Sequence, residues 1–392
     1  MFDNIYMTAA LWFGLAFAAS MISIRIGITV ALIEIFMGVI AGNFLGVHGT
    51  NQWIDFLAST GSLLLTFLAG SEIDPQSFKV NLKASLIMGV LSFALPFISV
   101  WMFTQHVLGW GQEQAQIAGI ALSTTSIAVV YSVMIERGFS STAVGKLILA
   151  ACFVTDLGTV LALGVLFADF NAWMLLFVAA TAAAFFIMPR ITKIISIKSG
   201  GNKLSEPETK FILLILFLLG GLAVAVGSEA VLPAYIMGLA VAGVFMNNKL
   251  LVNRIRTTAF TILTPFYFIK AGLYVSMEAM LASLGVIAVL LLLKVFFKTA
   301  GVWPVSRAIR LNVKQSNYTT LLMSTGLTFG SISALYGLNN HIISQNQYTI
   351  LVTVVILSAV VPTMIAQKFF EPSLHEMNSL NGNKRESRNG AH

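Results

Sequence analysis

Asp156 stands in the stretch ACFVTDLGTV, in the middle of an apolar run from about 141 to 168, with no basic residue near it in sequence. An ionisable group at membrane depth is costly and is therefore a candidate for function. Such a carboxyl group can hold a proton or, once ionised, present hard oxygen to a hard monovalent cation. The competing structural role is a permanently protonated Asp bonded to a neighbouring helix. The preceding apolar run, 114–137, carries Ser123, Thr124, Thr125 and Ser126 at its midpoint. Four hydroxyl residues in a row predict a local break, where hydroxyls and freed carbonyls face a cavity. Helix–helix packing through these small residues is the alternative.

A second interruption, Ser324, Thr325, Gly326, Leu327, Thr328, Phe329, Gly330 and Ser331, lies at the midpoint of the run 315–338. It falls seven spans after the first, and an odd offset reverses direction in a membrane. Two oppositely oriented broken helices are the mark of inverted repeats around a midplane site. Lys294 and Lys298 share a helix face at i, i+4 and can supply positive charge near Asp156, unless Lys298 snorkels to the surface. Lys270 is expected to bond backbone carbonyls beside Gly272, Glu34 to hydrogen-bond a neighbour, and Cys152 to fill core space. There is no HExxH, no P-loop and no GxGxxG, and the five His fall in outer connections or the tail. These absences argue against a metalloenzyme, a nucleotide domain and any cofactor.

The elements that position these residues follow from composition. Of 392 residues, 57% are hydrophobic and 10% charged, against about a quarter charged in soluble domains. The mean hydropathy is +0.87. Apolar blocks of roughly 20 residues match the length of a spanning helix, and the alternating strands of a barrel are absent. The expected class is all-α integral membrane, with about 13 transmembrane helices at 5–24, 28–46, 53–72, 83–109, 114–137, 141–168, 171–196, 207–227, 231–247, 255–275, 279–309, 315–338 and 344–370. The first block lacks a basic leader and reads as a retained helix. A single Cys excludes an internal disulfide.

Lys and Arg occupy alternate connections, from Arg25 through Lys79, Arg137, Lys193, Arg254 and Arg307 to the tail, while Glu113, Asp169, Glu229 and Glu278 mark the others. By the positive-inside rule the N-terminus lies outside and the C-terminus in the cytoplasm of an inner-membrane protein. The net charge of +7 thus reflects topology, and nucleic acid is not an expected partner. The longest connection, near 198–207, is a basic linker. The tail, 373–392, is polar, short and expected to be disordered.

At these residues the chain resembles the monovalent cation:proton antiporter-2 family, in its NapA-type branch. The resemblance spans Ile5 to Phe370 and is carried by IEIFMGVIAGNFLG (33–46), LLLTFLAGSEID (63–74), STTSIAVV (123–130), VTDLG (154–158), TPFYFIKAGLYVS (264–276) and KTAGVWP (298–304). It implies the sodium/proton antiporter fold: two broken crossing helices beside an essential aspartate, a core domain around 83–168 and 279–338, and a dimerisation domain from 5–72 and 207–275 of a homodimer. It also implies that Asp156 takes the place of the essential cation- and proton-binding aspartate, that Thr125 and Ser126 match the polar pair of the first crossing helix, and that Lys298 matches the lysine near the site. From the residues themselves, Thr155 and Thr124 are further expected Na⁺ ligands, and Lys294 and Thr328 expected modulating residues. Two departures stand out. Thr155 occupies the place of a second aspartate found in electrogenic members, and Thr328 that of a glutamate in many. With one fewer midplane acid, one-for-one electroneutral exchange of Na⁺ for H⁺ is the expectation. Exchange of K⁺ or Li⁺, a potassium efflux protein, an ion channel or a transporter-like receptor are the rivals.

Overall fold

Blocks of apolar residues bounded by Gly, Pro and charge fold as helices wherever the chain can satisfy its own backbone. The computed structural model describes residues 4–27, 29–47, 50–71, 82–140, 142–167, 172–198, 206–225 and 230–378. Lys79, Asp169, Lys203 and Glu229 of the charge pattern, the middle of the 198–207 linker and the tail from 379 onward lie outside these residues. The described residues are helical, without strands, and each predicted span is occupied by one helix or by two that meet at a break. Nine helices among the described residues are long and apolar enough to cross a membrane, so this is a multi-pass membrane protein.

The first helices are α1 (Ile5–Ile26), α2 (Val30–Phe44), α3 (Gln52–Ser71) and α4 (Leu82–His106). The fifth predicted span is split into α5 (Gln112–Ser123) and α6 (Ile127–Glu136), followed by α7 (Ala143–Phe167), α8 (Ala172–Lys198), α9 (Pro207–Ala225) and α10 (Val231–Asn247). The span predicted to begin at 255 starts earlier, as α11 (Lys249–Thr258), because the Asn248 side chain caps the Leu251 N–H. A π-helical turn (Ala259–Leu263) joins α11 to α12 (Thr264–Leu273). Then come α13 (Met277–Ala282) and α14 (Leu284–Ala308), the second split span as α15 (Val313–Met323) and α16 (Thr328–Asn339), and α17 (Gln345–Phe369). The tail does not begin disordered: Leu374–Asn378 forms a short helix, α18, with Met377 fully buried.

The chain divides into two compact units, residues 1–75 with 160–275, and 76–159 with 276–392. In the first unit, α2 and α12 approach closely: a side chain at Gly38 would strike the Ile269 carbonyl and one at Gly272 the Ile35 carbonyl. Trp12 stacks on Phe266 at 5.3 Å between ring centroids. Lys270 is not bonded to carbonyls as expected. Its Nζ donates to Asp55 Oδ1 at 2.6 Å, an ion pair that offsets the cost of burying the amine. Glu34 is buried, and its Oε2 has no hydrogen-bond partner, contrary to the neighbour bond expected of it.

In the second unit α4 is the common surface for α14, α5 and α7. A side chain at Gly301 would meet the Leu91 carbonyl, one at Gly119 the Phe97 carbonyl, and one at Gly89 the side chain of Val154. Small residues at these crossings bring the polar side chains one turn away within reach of one another.

Candidate functional site

The two breaks touch. α5 ends at Ser123, Thr124 turns to extended backbone (φ −64°, ψ 154°), and α6 starts at Ile127. α15 ends at Met323 and α16 starts at Thr328 after Leu327 leaves helical geometry (φ −150°, ψ −74°). The Ser126 N–H donates to the Thr325 carbonyl at 3.1 Å, and Thr125 Oγ1 donates to the Met323 carbonyl at 2.8 Å. A helix end leaves carbonyls and N–H groups without helical partners, so each break satisfies part of the other. The helix starts of α6 and α16 carry partial positive charge here, and the ends of α5 and α15 partial negative charge.

The remaining hydroxyls turn back on their own chains. Ser123 Oγ donates to the Ile120 carbonyl at 2.9 Å, Thr124 Oγ1 to Ala121 at 3.2 Å and Thr325 Oγ1 to Leu322 at 2.8 Å. Ser126 Oγ accepts weakly from the Val129 N–H at 3.4 Å. These donations occupy protons and leave oxygen lone pairs available to a cation. Thr328 is buried at the first position of α16, and Ser331 Oγ, one turn on, is buried without a partner.

Asp156 lies in α7 and is 1% exposed, and its Oδ1 has no hydrogen-bond partner. A buried carboxylate oxygen left open in this way is expensive unless a ligand or a proton completes it. One turn earlier on α7, Cys152 Sγ lies 3.5 Å from Met323 Sδ, joining this helix to the second break. Thr155, beside Asp156, faces α4: its Oγ1 donates to Ala151 at 3.0 Å and lies 3.4 Å from the Gly89 carbonyl.

Both lysines of α14 are fully buried, so neither snorkels. Lys298 Nζ donates to Ser92 Oγ on α4 at 2.9 Å and to Thr125 Oγ1 at 2.8 Å. Lys294 serves the other break. Its Nζ donates to Ser358 Oγ on α17 at 2.9 Å and lies against the Gly326 backbone, where an added Cβ would strike it. Neither lysine has a carboxylate within ion-pair distance among the described residues. Lys298 and Thr125 are thus brought together, while Lys294 is directed to Gly326 and Thr155 to α4.

Sequence reasoning missed Ser92, Ser358 and Met323. The two serines could have been found as small polar residues isolated in the apolar runs 83–109 and 344–370. Met323 offers only a carbonyl and a thioether, and nothing in its type marks it.

This chain is similar to known transporters over nearly its whole length. It is 22% identical over 347 residues to "Probable Na(+)/H(+) antiporter 3" of Methanocaldococcus jannaschii, covering 84% of this chain and 89% of that protein. It is 23% identical to "Na(+)/H(+)-K(+) antiporter GerN" of Bacillus cereus, covering 89% of this chain and 92% of that one. Its fold matches the structure of the sodium proton antiporter MjNhaP1 from Methanocaldococcus jannaschii at pH 8, with a TM-score of 0.69, 15% identity, and coverage of 93% of this chain and 98% of that chain. The sequence profile described as "Sodium/hydrogen exchanger, transmembrane" matches residues 13–371, and the chain belongs to that family.

Proposed function

We infer that this protein is a secondary active antiporter that exchanges Na⁺ for H⁺ by alternating access, Asp156 carrying each ion in turn. The observation that carries this reading is the open Oδ1 of Asp156, a fully enclosed carboxylate oxygen on the helix that reaches the second break. Deprotonated, Asp156 gives a hard-cation site one full negative charge. Lone pairs of Thr124, Thr125 and Ser126, with carbonyls freed at the breaks, complete its oxygen shell, while Thr155 turns its hydroxyl to α4. Protonated, Asp156 no longer attracts a cation. Competition of the two ions for one carboxylate makes exchange obligatory without further machinery, and one-for-one competition makes it electroneutral. Lys298, Lys294 and Thr328 modulate the site.

In this reading the unit of 76–159 and 276–392 is the core domain that carries the ion, and the other unit is the dimerisation domain of a homodimer. The basic residues of alternate connections argue for an inner-membrane location with the N-terminus outside and the C-terminus in the cytoplasm. Exchange of K⁺ is the second reading, favoured by the similarity to the Na(+)/H(+)-K(+) antiporter GerN of Bacillus cereus.

Everted membrane vesicles carrying the protein test the proposal. With a preset ΔpH, addition of NaCl should dissipate it. KCl and LiCl in parallel rank the cations. Dissipation that follows only the membrane potential identifies a channel, and none with any salt sinks the exchange reading.

A further inference from the structure

The broken helices meet a second time, far from their breaks. Arg137 directly follows α6, and Asn312 directly precedes α15, where Asn312 and Gln315 cap one another's backbone N–H groups. Close to these ends, the rings of Phe139 and Tyr318 meet edge to face, with centroids 6.0 Å apart. The segment after α17 lies across both ends. Glu371 reaches Arg137 at 3.6 Å, and Asn312 Nδ2 donates to Glu376 Oε1 at 3.0 Å. Gln315 Nε2 donates to the Glu376 carbonyl at 2.6 Å. Glu376 is itself fixed, because its Oε2 accepts from the Ser373 N–H at 2.7 Å and from Ser373 Oγ at 3.0 Å. Met377 next to it is fully buried.

These contacts differ in weight. The Arg137–Glu371 pair is partly exposed, and such pairs contribute little alone. The bonds to the Glu376 carboxylate are charge-assisted and hold it from several sides, which makes this residue the anchor. From the anchor, α6 and α15 run ten and eleven residues to the breaks. A helix of that length is a rod of about 15 Å, so a shift at its outer end is passed to its inner end. At the inner ends the register is set by the contacts from Ser126 to Thr325 and from Thr125 to Met323, where sub-ångström placement decides the quality of an ion site.

We propose that Glu376 is a positioning residue for the exchange, fixing the start of α15 through Asn312 and Gln315 and, together with the Glu371–Arg137 pair, tying α15 to α6 so that the two breaks keep their register. The proposal rests on the exchange reading given above.

The test uses the purified full chain in proteoliposomes beside Glu376→Ala, Glu376→Gln, a stop after Phe370 and a stop after Asn378, each compared per amount of folded, monodisperse protein. Two quantities are read: the KM for Na⁺ in ΔpH dissipation, and hydrogen–deuterium exchange of peptides covering 127–136 and 313–323. The stop after Phe370 and Glu376→Ala should raise the KM roughly fivefold with a smaller change in maximum rate, as expected for loss of ligand placement. Both should speed deuterium uptake in the two peptides. Glu376→Gln, which keeps an acceptor oxygen, should fall between, and the stop after Asn378 should match the wild type. A KM within twofold of wild type in the Phe370 stop and in Glu376→Ala overturns the proposal. Faster deuterium uptake at unchanged KM also overturns it, since the segment then only braces the fold. Equal effects of the two stops overturn it as well, by assigning the role to residues beyond Asn378. A wild type without Na⁺-dependent proton movement sinks the exchange reading instead, and deuterium uptake alone then decides whether the segment ties the two helices.

Discussion

Lys298 Nζ lies 2.8 Å from Thr125 Oγ1, and the same hydroxyl donates to the Met323 carbonyl at 2.8 Å. One threonine side chain therefore links a buried amine on α14, the first break and the second break. Lys298 is held by hydroxyls and, among the described residues, has no carboxylate at ion-pair distance, while Asp156 Oδ1 is open for an ion.

Asp156→Asn removes the carboxylate of this arrangement with little change in volume. Cation-dependent proton movement should fall to background while the protein still reaches the membrane and elutes as wild type in detergent. Near-normal exchange by a well-expressed Asn variant would take Asp156 out of the mechanism.

Thr125→Ala leaves Lys298 short of an acceptor and the Met323 carbonyl short of a donor. Ser126→Ala removes only a weakly engaged oxygen, since the 126 N–H still reaches Thr325. Hydrogen bonds to charged groups contribute about 1.5–3 kcal/mol. Thr125→Ala should accordingly raise the KM for Na⁺ by about tenfold or more and lower the thermal midpoint. Ser126→Ala should raise the KM by a smaller factor at unchanged midpoint. The two variants are compared by vesicle kinetics and thermal melts, and equal effects from both would contradict the linking role of Thr125.

Gly326→Ala places a methyl group on the Lys294 amine and 3.0 Å from Thr124 Oγ1. Overpacking of this kind costs about 1–3 kcal/mol. The amine should lose its bond to Ser358, and thermal unfolding in detergent should move down by several degrees. Ser358→Ala in the Gly326→Ala background should then add almost nothing, because the bond it removes is already lost. A fully additive double variant would show that Lys294 does not occupy that space.

Thr155 has its hydroxyl bonded to the Ala151 carbonyl at 3.0 Å and carries no acid, so Asp156 is the carboxylate expected to exchange the proton at the proposed site. A cycle that moves one Na⁺ against one H⁺ transfers no net charge. The membrane potential acts on net charge at ~2.3 kcal/mol per elementary charge per 100 mV. No steady current is expected on a solid-supported membrane during Na⁺-driven proton exchange, and the equilibrium Na⁺ gradient should ignore a valinomycin-set potential at fixed ΔpH. A voltage-shifted reversal point would bring in a second titrating group, with Lys298 the first to replace.

Glu376 lies outside the membrane-spanning helices, and its carboxyl is held below the usual value of 4.5, first by the Ser373 N–H, an effect that burial opposes and that the Ser373 hydroxyl, Asn312 and the charge of Lys314 reinforce. A depressed carboxyl contributes stability above its unfolded value and loses it as the pH falls through the lower folded value. The tie at α15 should be intact from pH 6 to 9 and loosen only below about 4.5. Deuterium uptake of the 313–323 peptide, corrected for intrinsic rates, should be flat over the first range and rise in the second. Loosening between pH 6 and 7 would assign the contact to a different group.

Much of the architecture was legible before any coordinates, and particular residues show why. Length and apolarity alone locate the spans, because a lipid-embedded backbone must close its hydrogen bonds within each helix. The clusters at Ser123–Ser126 and Ser324–Ser331 announced the breaks, since hydroxyls and glycine in the middle of an apolar span have few other uses. Lys270 was misread because its partner, Asp55, lies 215 positions away and belongs to a helix end where an acid draws no attention. The start of the tail, 373–378, differs from expectation for the opposite reason. Polar composition suggested disorder, yet a few specific bonds from Asn312 and Gln315 suffice to dock Glu376.

The class, the spans, the two breaks and the midplane acid Asp156 all follow from local composition and from the cost of charge in lipid. Only the tertiary structure decided which break each lysine serves, since Lys294 and Lys298 are one turn apart and alike in type. Their different partners, Ser358 with Gly326 and Ser92 with Thr125, come from two other helices and the two breaks. Close approach at glycines such as Gly301 and Gly326 governs how near those helices can come, and that depends on three-dimensional packing, which no local pattern records.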